Sequence, residues 1–386
     1  HFESDDTNMY DKAMQNGTVE GFIRSLSDLN WLRPLREVNI NRQKSASKGR
    51  GIQAVVLCRA LGLVIGRCSD EALEEHKKTL VDIDSLAAVE RTADFMIGWK
   101  QDSTLRLVAM SNIVGLSTRI GAVADESKPF VLRILLKFLV DTLPNEIRLD
   151  SALGINDLIH EKSLVSEDMI RSLSTEESSR LLSVLSTTAS TVVKGSKESI
   201  LALGDLARRS SKLCSKIVRR RCCILALVRS LSRDDAEIRA VAASSAKAMI
   251  LESSNMMGLS SAIVTRNISF LLECLIQRSS SEKDQNVLAL VIDSLTSYLE
   301  RTKIDSVDKG KEVLAALFSV AHAKKVDDDL TQLAALLFIK YAHGYIKDDT
   351  VTRQIIDICL HPDHNIRCHA LGLIHDISFW DPTRAS

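Results

Sequence analysis

His361-Pro362-Asp363-His364-Asn365-Ile366-Arg367-Cys368-His369-Ala370-Leu371 is the stretch on which the reading of this chain turns. Proline and aspartate stop one element and open another, because proline cannot continue a helix and aspartate caps the next one. An aliphatic residue, an arginine and then alanine follow. The same grammar recurs three times, as Leu105-Arg106 with Ala109, Ile147-Arg148 with Ala152, and Ile238-Arg239 with Ala242. Turn or cap elements precede them at Asp102, Pro144-Asn145 and Asp234-Asp235. The intervals decide what this means. Arg106 to Arg148 is 42 residues, Arg148 to Arg239 is 91, and Arg239 to Arg367 is 128. These are close to one, two and three copies of a unit of about 43 to 44 residues, within the range of paired-helix repeats. The skipped positions should therefore also open helices, and cap-like sequences stand there at Ser196-Lys197-Glu198, Asp284-Gln285-Asn286 and Asp327-Asp328-Asp329.

The stretch at His361 resembles the start of the second helix of a HEAT repeat, where an acidic-proline-acidic turn leads into Val-Arg and small residues. The resemblance covers roughly residues 65 to 380, and its specificity lies in the recurrence. It implies an all-α solenoid of about seven antiparallel helix pairs. Three of the seven units depart from it, with Ile200, Leu288 and Gln332 at or near the place of the arginine.

Composition and periodicity agree. The chain of 386 residues is 45% hydrophobic, enough for a large core, yet only 4% aromatic, with 5 prolines and 16 glycines, which is helical rather than β usage. Val287, Leu290, Val291, Leu295 and Leu299 recur at spacings of three and four, as do Val131, Leu135, Leu136, Leu139 and Val140. Each set lies on one helical face. No apolar run is long enough to span a bilayer. The 8 cysteines form no Cys-x-x-Cys and mostly sit in apolar helical runs, so they read as core thiols of an intracellular protein, cytoplasmic or nuclear. The chain opens on polar residues without Met and reads as a segment of a longer protein.

Three regions are expected: an N-terminal helix and basic loop over 1–50, the solenoid over 51–380, and a tail over 381–386. The loop carries Arg33, Arg36, Arg42, Lys44, Lys48 and Arg50 against Glu37. A second loop is expected over 163–175. The formal net charge is zero, from 50 basic and 50 acidic residues, so any site for an acidic partner must arise from local segregation.

That segregation is sharpest between Lys194 and Arg233, where eleven basic residues face only Glu198 and Asp205, a local net of +9. Arg208, Arg209 and Lys212 are expected at the end of one helix, and Lys212, Lys216, Arg219 and Arg220 on one face of the next, followed by Arg221. Such a stripe fits an acidic or amphipathic helical segment of a protein partner. The plain alternative is a solvated face compensated by carboxylates of adjacent repeats. Nucleic acid ranks below protein, since no aromatic residues interleave the charges.

Catalytic patterns are absent: the sequence has no G-x-x-x-x-G-K-[ST], no G-x-G-x-x-G and no H-E-x-x-H. Cys359, His361, His364 and Cys368 are close in sequence, but their spacing matches no zinc module, and packing is the expected role. The paired Cys222-Cys223 is likewise expected to be structural. No enzyme activity, cofactor or metal is expected. The overall expectation is a non-enzymatic interaction scaffold or adaptor in a larger assembly. Its alternatives are a nucleic-acid-binding solenoid using the basic helix and loop, and a transport or chaperone-cofactor solenoid.

Overall fold

A computed structural model describes scattered residues up to 64 and then residues 69–75, 83–99, 103–123, 125–160, 164–191, 195–256, 262–301, 307–323 and 325–380. Among the described residues the regular structure is helical throughout. The chain divides into two compact units, His1–Thr188 and Ala189–Ser386. This division falls inside the stretch 51–380.

The first unit holds α1 (Asp70–Glu75), α2 (Ile83–Gly98), α3 (Ser103–Val123), α4 (Lys128–Lys137), α5 (Asn145–His160), α6 (Leu164–Ser172) and α7 (Thr175–Ala189), the last ending at the division. Helix α2 pairs with α3 and α4 with α5, while α3 packs on α5 and α2 on α4. Two layers result, one from each member of the pairs. Gly121 and Gly154 let α3 and α5 approach. A Cβ built on them would come within 2.3 Å of Leu158 Cδ2 and 2.5 Å of Thr118 Oγ1, respectively.

The second unit holds α8 (Ser196–Arg209), α9 (Ser211–Arg219), α10 (Arg221–Ser230), α11 (Ala236–Asn255), α12 (Ala262–Ser281), α13 (Gln285–Arg301), α14 (Val307–Ala321), α15 (Asp328–Ala342), α16 (Asp349–Ile358) and α17 (His364–Trp380). One layer runs α8, α11, α13, α15, α17 and the other α9 with α10, α12, α14, α16, each helix packing on the next in its layer. Gly195, at φ 85°, admits the chain to α8 through a left-handed conformation that favours glycine.

All seven helix starts expected from the repeat interval are present, at Ser103, Asn145, Ser196, Ala236, Gln285, Asp328 and His364. Four of the expected caps act as such, whereas the helix at Ser196 starts from Gly195 without a side-chain cap bond. Asp235, Asp284, Asp327 and Asp363 each accept a bond from the backbone N–H two residues on, at 2.8–3.0 Å. Those bonds satisfy donors that a helix start leaves open. Asp102 lies outside the described residues.

The arginines have a shared job. Arg367 donates through Nη1 to the carbonyls of His361 and Pro362, at 2.8 and 2.6 Å. Arg239 does the same to Arg233 and Asp234, at 2.9 and 2.6 Å. Arg106 reaches the last carbonyls of α2, Met96 at 2.9 Å and Ile97 at 2.6 Å. A planar fork of donors closes the turn between paired helices, where carbonyls would otherwise lack partners. Arg148 departs, reaching side chains instead: Asp141 at 2.7 Å and Asn145 at 3.3 Å. The alanines fill the crossings, with Ala109, Ala152 and Ala370 fully buried and Ala242 at 1%.

Two expectations are corrected. Most of the supposed loop over 163–175 is helix α6. A reciprocal capping box follows it, in which the Ser174 N–H donates to Glu177 and the Glu177 N–H to the Ser174 hydroxyl. That Ser-x-x-Glu is visible in the sequence and marks the start of α7. Second, Arg220 does not share the helical face of Lys212, Lys216 and Arg219. The chain breaks at Arg220, which adopts an extended conformation between α9 and α10.

Candidate functional site

The basic segment lies on α8, α9 and α10 of the second unit. The break between α8 and α9 is local chemistry: Ser210 is extended, and its hydroxyl accepts from the Leu213 N–H at 3.1 Å, starting a new helix. Lys212 therefore stands in the first turn of α9, not at the end of the preceding helix with Arg208 and Arg209. Helix α9 is strongly two-sided. Leu213, Cys214, Ile217 and Val218 are buried, whereas Lys212 and Lys216 are half-buried and Arg219 is exposed. Arg220 is set off from this face by the helix break.

The members of the segment fall into two groups. The first is compensated within the fold. Lys197 lies 2.9 Å from Asp235 and 2.6 Å from Glu237 on α11, and hydrogen bonds to Glu237 and Asp235 raise its pKa. Arg208 pairs with Asp205 and donates to the Ser244 hydroxyl at 2.7 Å. Arg209 approaches the same Asp205 at 4.0 Å. Arg233 binds the Ala189 and Thr191 carbonyls, both at 3.2 Å. Arg221 lies over the Phe270 ring at 4.0 Å and donates to Asn267 at 3.5 Å.

The second group is different. Lys216 Nζ is shielded from solvent and has no hydrogen-bond partner among the described residues. Burial, then Lys212, then Arg220 lower its pKa. Arg219 and Arg229 are exposed, and no described carboxylate pairs with either. Like charges are thus gathered along α9 and its C-terminal end. The secondary basic loop, Arg33, Arg36, Arg42, Lys44, Lys48 and Arg50, lies outside the described residues.

The other sequence candidates disperse. Cys359 is half-buried with its thiol on the Ile355 carbonyl at 3.5 Å. His361 is buried and accepts through Nδ1 from the Asp363 N–H at 3.1 Å. Cys368 and His364 face each other at 3.5 Å. Among the described residues no three metal-ligating side chains converge. Cys223 is fully buried, as expected of a structural thiol, but Cys222 is exposed. The residue alternation at a helix start explains the split, since neighbouring side chains diverge by about 100°. A groove of about 530 Å³ lies between α3 and α5, beside Arg119, Asp150 and Asp157. Another, of about 740 Å³, lies beside His322, Asp357 and Leu360. Among the described residues no helix is long and apolar enough to cross a membrane.

Sequence reasoning missed contacts that tie one repeat to another within each unit. Lys137 reaches Asp94 across 43 residues, Arg239 reaches Glu282 across 43, and Lys247 reaches Asp293 across 46. The repeat interval itself was the signal that could have found them. The two layers, these contacts and the turn-closing arginine define an α-helical repeat protein.

No protein-family model matches the chain, and no curated protein does. Among solved structures, the crystal structure of Uso1-2 is similar over 88% of this chain and 52% of that one, with 15% identity and a TM-score of 0.49. A chain from a structure of Kap95p with RanGDP is similar over 96% of this chain and 42% of that one, with 14% identity and a TM-score of 0.43. An engineered protein is similar over 66% of this chain and 95% of its own, with 16% identity and a TM-score of 0.42.

Proposed function

We propose that this chain is a non-enzymatic protein-interaction scaffold, and that the stripe of Lys212, Lys216 and Arg219 on α9, with Arg220 and Arg221 at its end, receives an acidic or amphipathic helical segment of a protein partner. The observation that carries the reading is the contrast between lysines. Lys197 and Lys311 sit on carboxylates of neighbouring helices, and those contacts raise their pKa. Lys216 is instead pushed down by burial and by Lys212 and Arg220. A carboxylate laid along α9 would relieve that repulsion and gain charge-assisted hydrogen bonds. Protein ranks above nucleic acid because Phe270, the ring beside the stripe, is covered by Arg221 rather than open for base stacking.

The test is capture of stoichiometric partners from a native extract in gentle salt, using the wild-type chain and the Lys212→Glu, Lys216→Glu double variant. The variant should keep its melting temperature and lose the partner, because reversed charges oppose an acidic surface. Retained capture with a lowered melting temperature would overturn the site. Recovery of no stoichiometric protein by the wild-type chain would overturn the scaffold reading itself.

A further inference from the structure

In the second unit a groove of about 740 Å³ opens between the α14–α15 turn and the α16–α17 turn. Its charge has one sign. Asp328 opens α15, Asp357 stands in the last turn of α16 and Asp363 follows in the turn, while among the described residues no lysine or arginine lines the groove. Asp363 is occupied as the cap of α17. Asp328 and Asp357 are exposed, and no described cation pairs with either. Elsewhere in the unit, carboxylates that meet a neighbouring repeat are neutralised: Asp235 by Lys197, Asp293 by Lys247 and Asp348 by Lys311.

Two further features say which cation fits. One wall is aromatic. The Phe318 and His322 rings stand 4.3 Å apart, and Phe318 is backed by Phe338 at 5.7 Å. His322 Nδ1 lies 3.0 Å from the Phe318 carbonyl, which holds the ring in place. The second feature is His361, which lines the groove at 7% exposure. Its Nδ1 accepts from the Asp363 N–H, so the ring proton sits on Nε2, and among the described residues nothing accepts it. Burial, then His322, hold this ring below the usual histidine range and keep it a neutral donor. A buried donor without an acceptor is costly, so the ligand should bring one. Among the described residues no three metal-ligating side chains converge, and the fitting cation is therefore organic.

We propose that this groove binds an arginine side chain presented by a peptide segment of a partner protein. The guanidinium would lie against the Phe318 and His322 rings with its donors on Asp357 and Asp328, and a backbone carbonyl of the segment would accept from His361 Nε2. The unpaired carboxylates select a cation. The aromatic wall selects arginine over lysine, because a planar guanidinium stacks on a ring and offers forked donors, whereas an ammonium is a compact point charge. The buried donor selects a peptide over a bare guanidinium. The site takes the opposite charge from the stripe on α9 and does not rest on the function proposed for it.

The probe is the blocked tripeptide acetyl-Ala-Arg-Ala-amide. It is titrated into the full chain while the histidine Cε1–H resonances are followed by NMR, a readout that registers millimolar binding. His322→Gln and His361→Gln assign the two signals. Saturable shifts of both are expected with the arginine peptide, weaker binding with its lysine analogue, and none with its alanine or glutamate analogues. Butylguanidinium, which lacks a peptide carbonyl, should bind more weakly than the tripeptide, and equal affinity would overturn the role given to His361. Asp328→Asn with Asp357→Asn should weaken binding by about tenfold or more. Both positions are exposed, so the melting temperature, measured alongside, should hold. If the double variant melts lower, Asp357→Asn alone, away from any helix start, carries the test. The Lys212→Glu, Lys216→Glu chain should bind the peptide as the wild type does, which separates this groove from the α9 site. Absence of saturable shifts, equal binding of the lysine or alanine analogue, or binding that the asparagine variants leave unchanged overturns the proposal.

Discussion

Arg239 and Glu282 stand one repeat apart and clasp each other through two hydrogen bonds, Nε to Oε2 and Nη2 to Oε1, each 3.0 Å long. The Glu282 side chain has no exposed surface and that of Arg239 only 9%. Arg278 donates to the same carboxylate at 2.7 Å, and the Lys283 and Asp284 N–H groups donate at 2.9 Å. One carboxylate thus joins the end of α12, the start of α13 and the turn before α11. Arg239→Met removes one partner and leaves the buried charge short of donors. A loss of about 3–5 kcal/mol is expected in urea unfolding. The double variant Arg239→Met, Glu282→Leu removes both charges and should lose less than the single one. A double variant worse than the single would show that the pair is net stabilising rather than merely satisfied.

The same cluster sets a pH dependence. Burial alone would raise the Glu282 pKa, but hydrogen bonds from Arg278, Arg239 and the Asp284 backbone outweigh it and bring the pKa down to about 2 from 4.5. The folded state therefore binds its proton less readily than the unfolded chain. The resulting stability, on the order of 3 kcal/mol, is present above pH 4.5 and is lost as pH falls from there toward 2. Glu282→Gln should flatten this limb of a stability-versus-pH curve while lowering the plateau at neutral pH. A limb of unchanged steepness in the variant would assign the acid sensitivity to other carboxylates.

Gly204 offers a test of the close approach between α8 and α11. A Cβ there would lie 2.3 Å from Val241 Cγ1 and 2.8 Å from Ser245 Oγ. Glycine to alanine inside a helix normally gains up to about 1 kcal/mol. Overpacking a tight contact costs about 1–3 kcal/mol, and a β-branched valine has little rotamer freedom with which to yield. Gly204→Ala should therefore lower the melting temperature. A higher one would mean that α8 and α11 separate without cost.

The fold was readable because its markers are local. Asp363 and Asp235 cap helices through atoms two and three residues away, and Arg367 closes a turn five and six residues back. Sequence spacing exposes such contacts directly. The basic site was only partly readable, because pairing reaches across repeats. Nothing around Lys197 or Arg208 in the sequence points to Asp235, Glu237 or Ser244, so compensated and uncompensated charges look alike there. The break at Arg220 escaped for a different reason. Residues 211–230 carry no proline or glycine to mark the point where Arg220 turns extended.

Lys216 and Lys197 should respond oppositely to loss of charge. The folded-state pKa of Lys216 is lowered, by burial and then by Lys212 and Arg220, so the folded state binds its proton less readily than the unfolded chain. Below the unfolded lysine pKa this opposes folding, and the penalty disappears as pH rises through that range. Lys216→Met keeps an unbranched apolar stem and removes the charge. Its stability should match or exceed the wild type, with any loss within about 0.5 kcal/mol. Lys197→Met instead strands Asp235 and Glu237 and should lower the melting temperature, more so at low salt, because exposed pairs are screened. If the stripe on α9 serves an acidic partner, Lys216→Met should gain stability and lose binding together, the trade expected where a strained group is kept for function. A melting curve and the capture experiment on both variants decide the matter. A clearly destabilised Lys216→Met would mean that its ammonium is satisfied within the fold, and the partner site would lose its principal support.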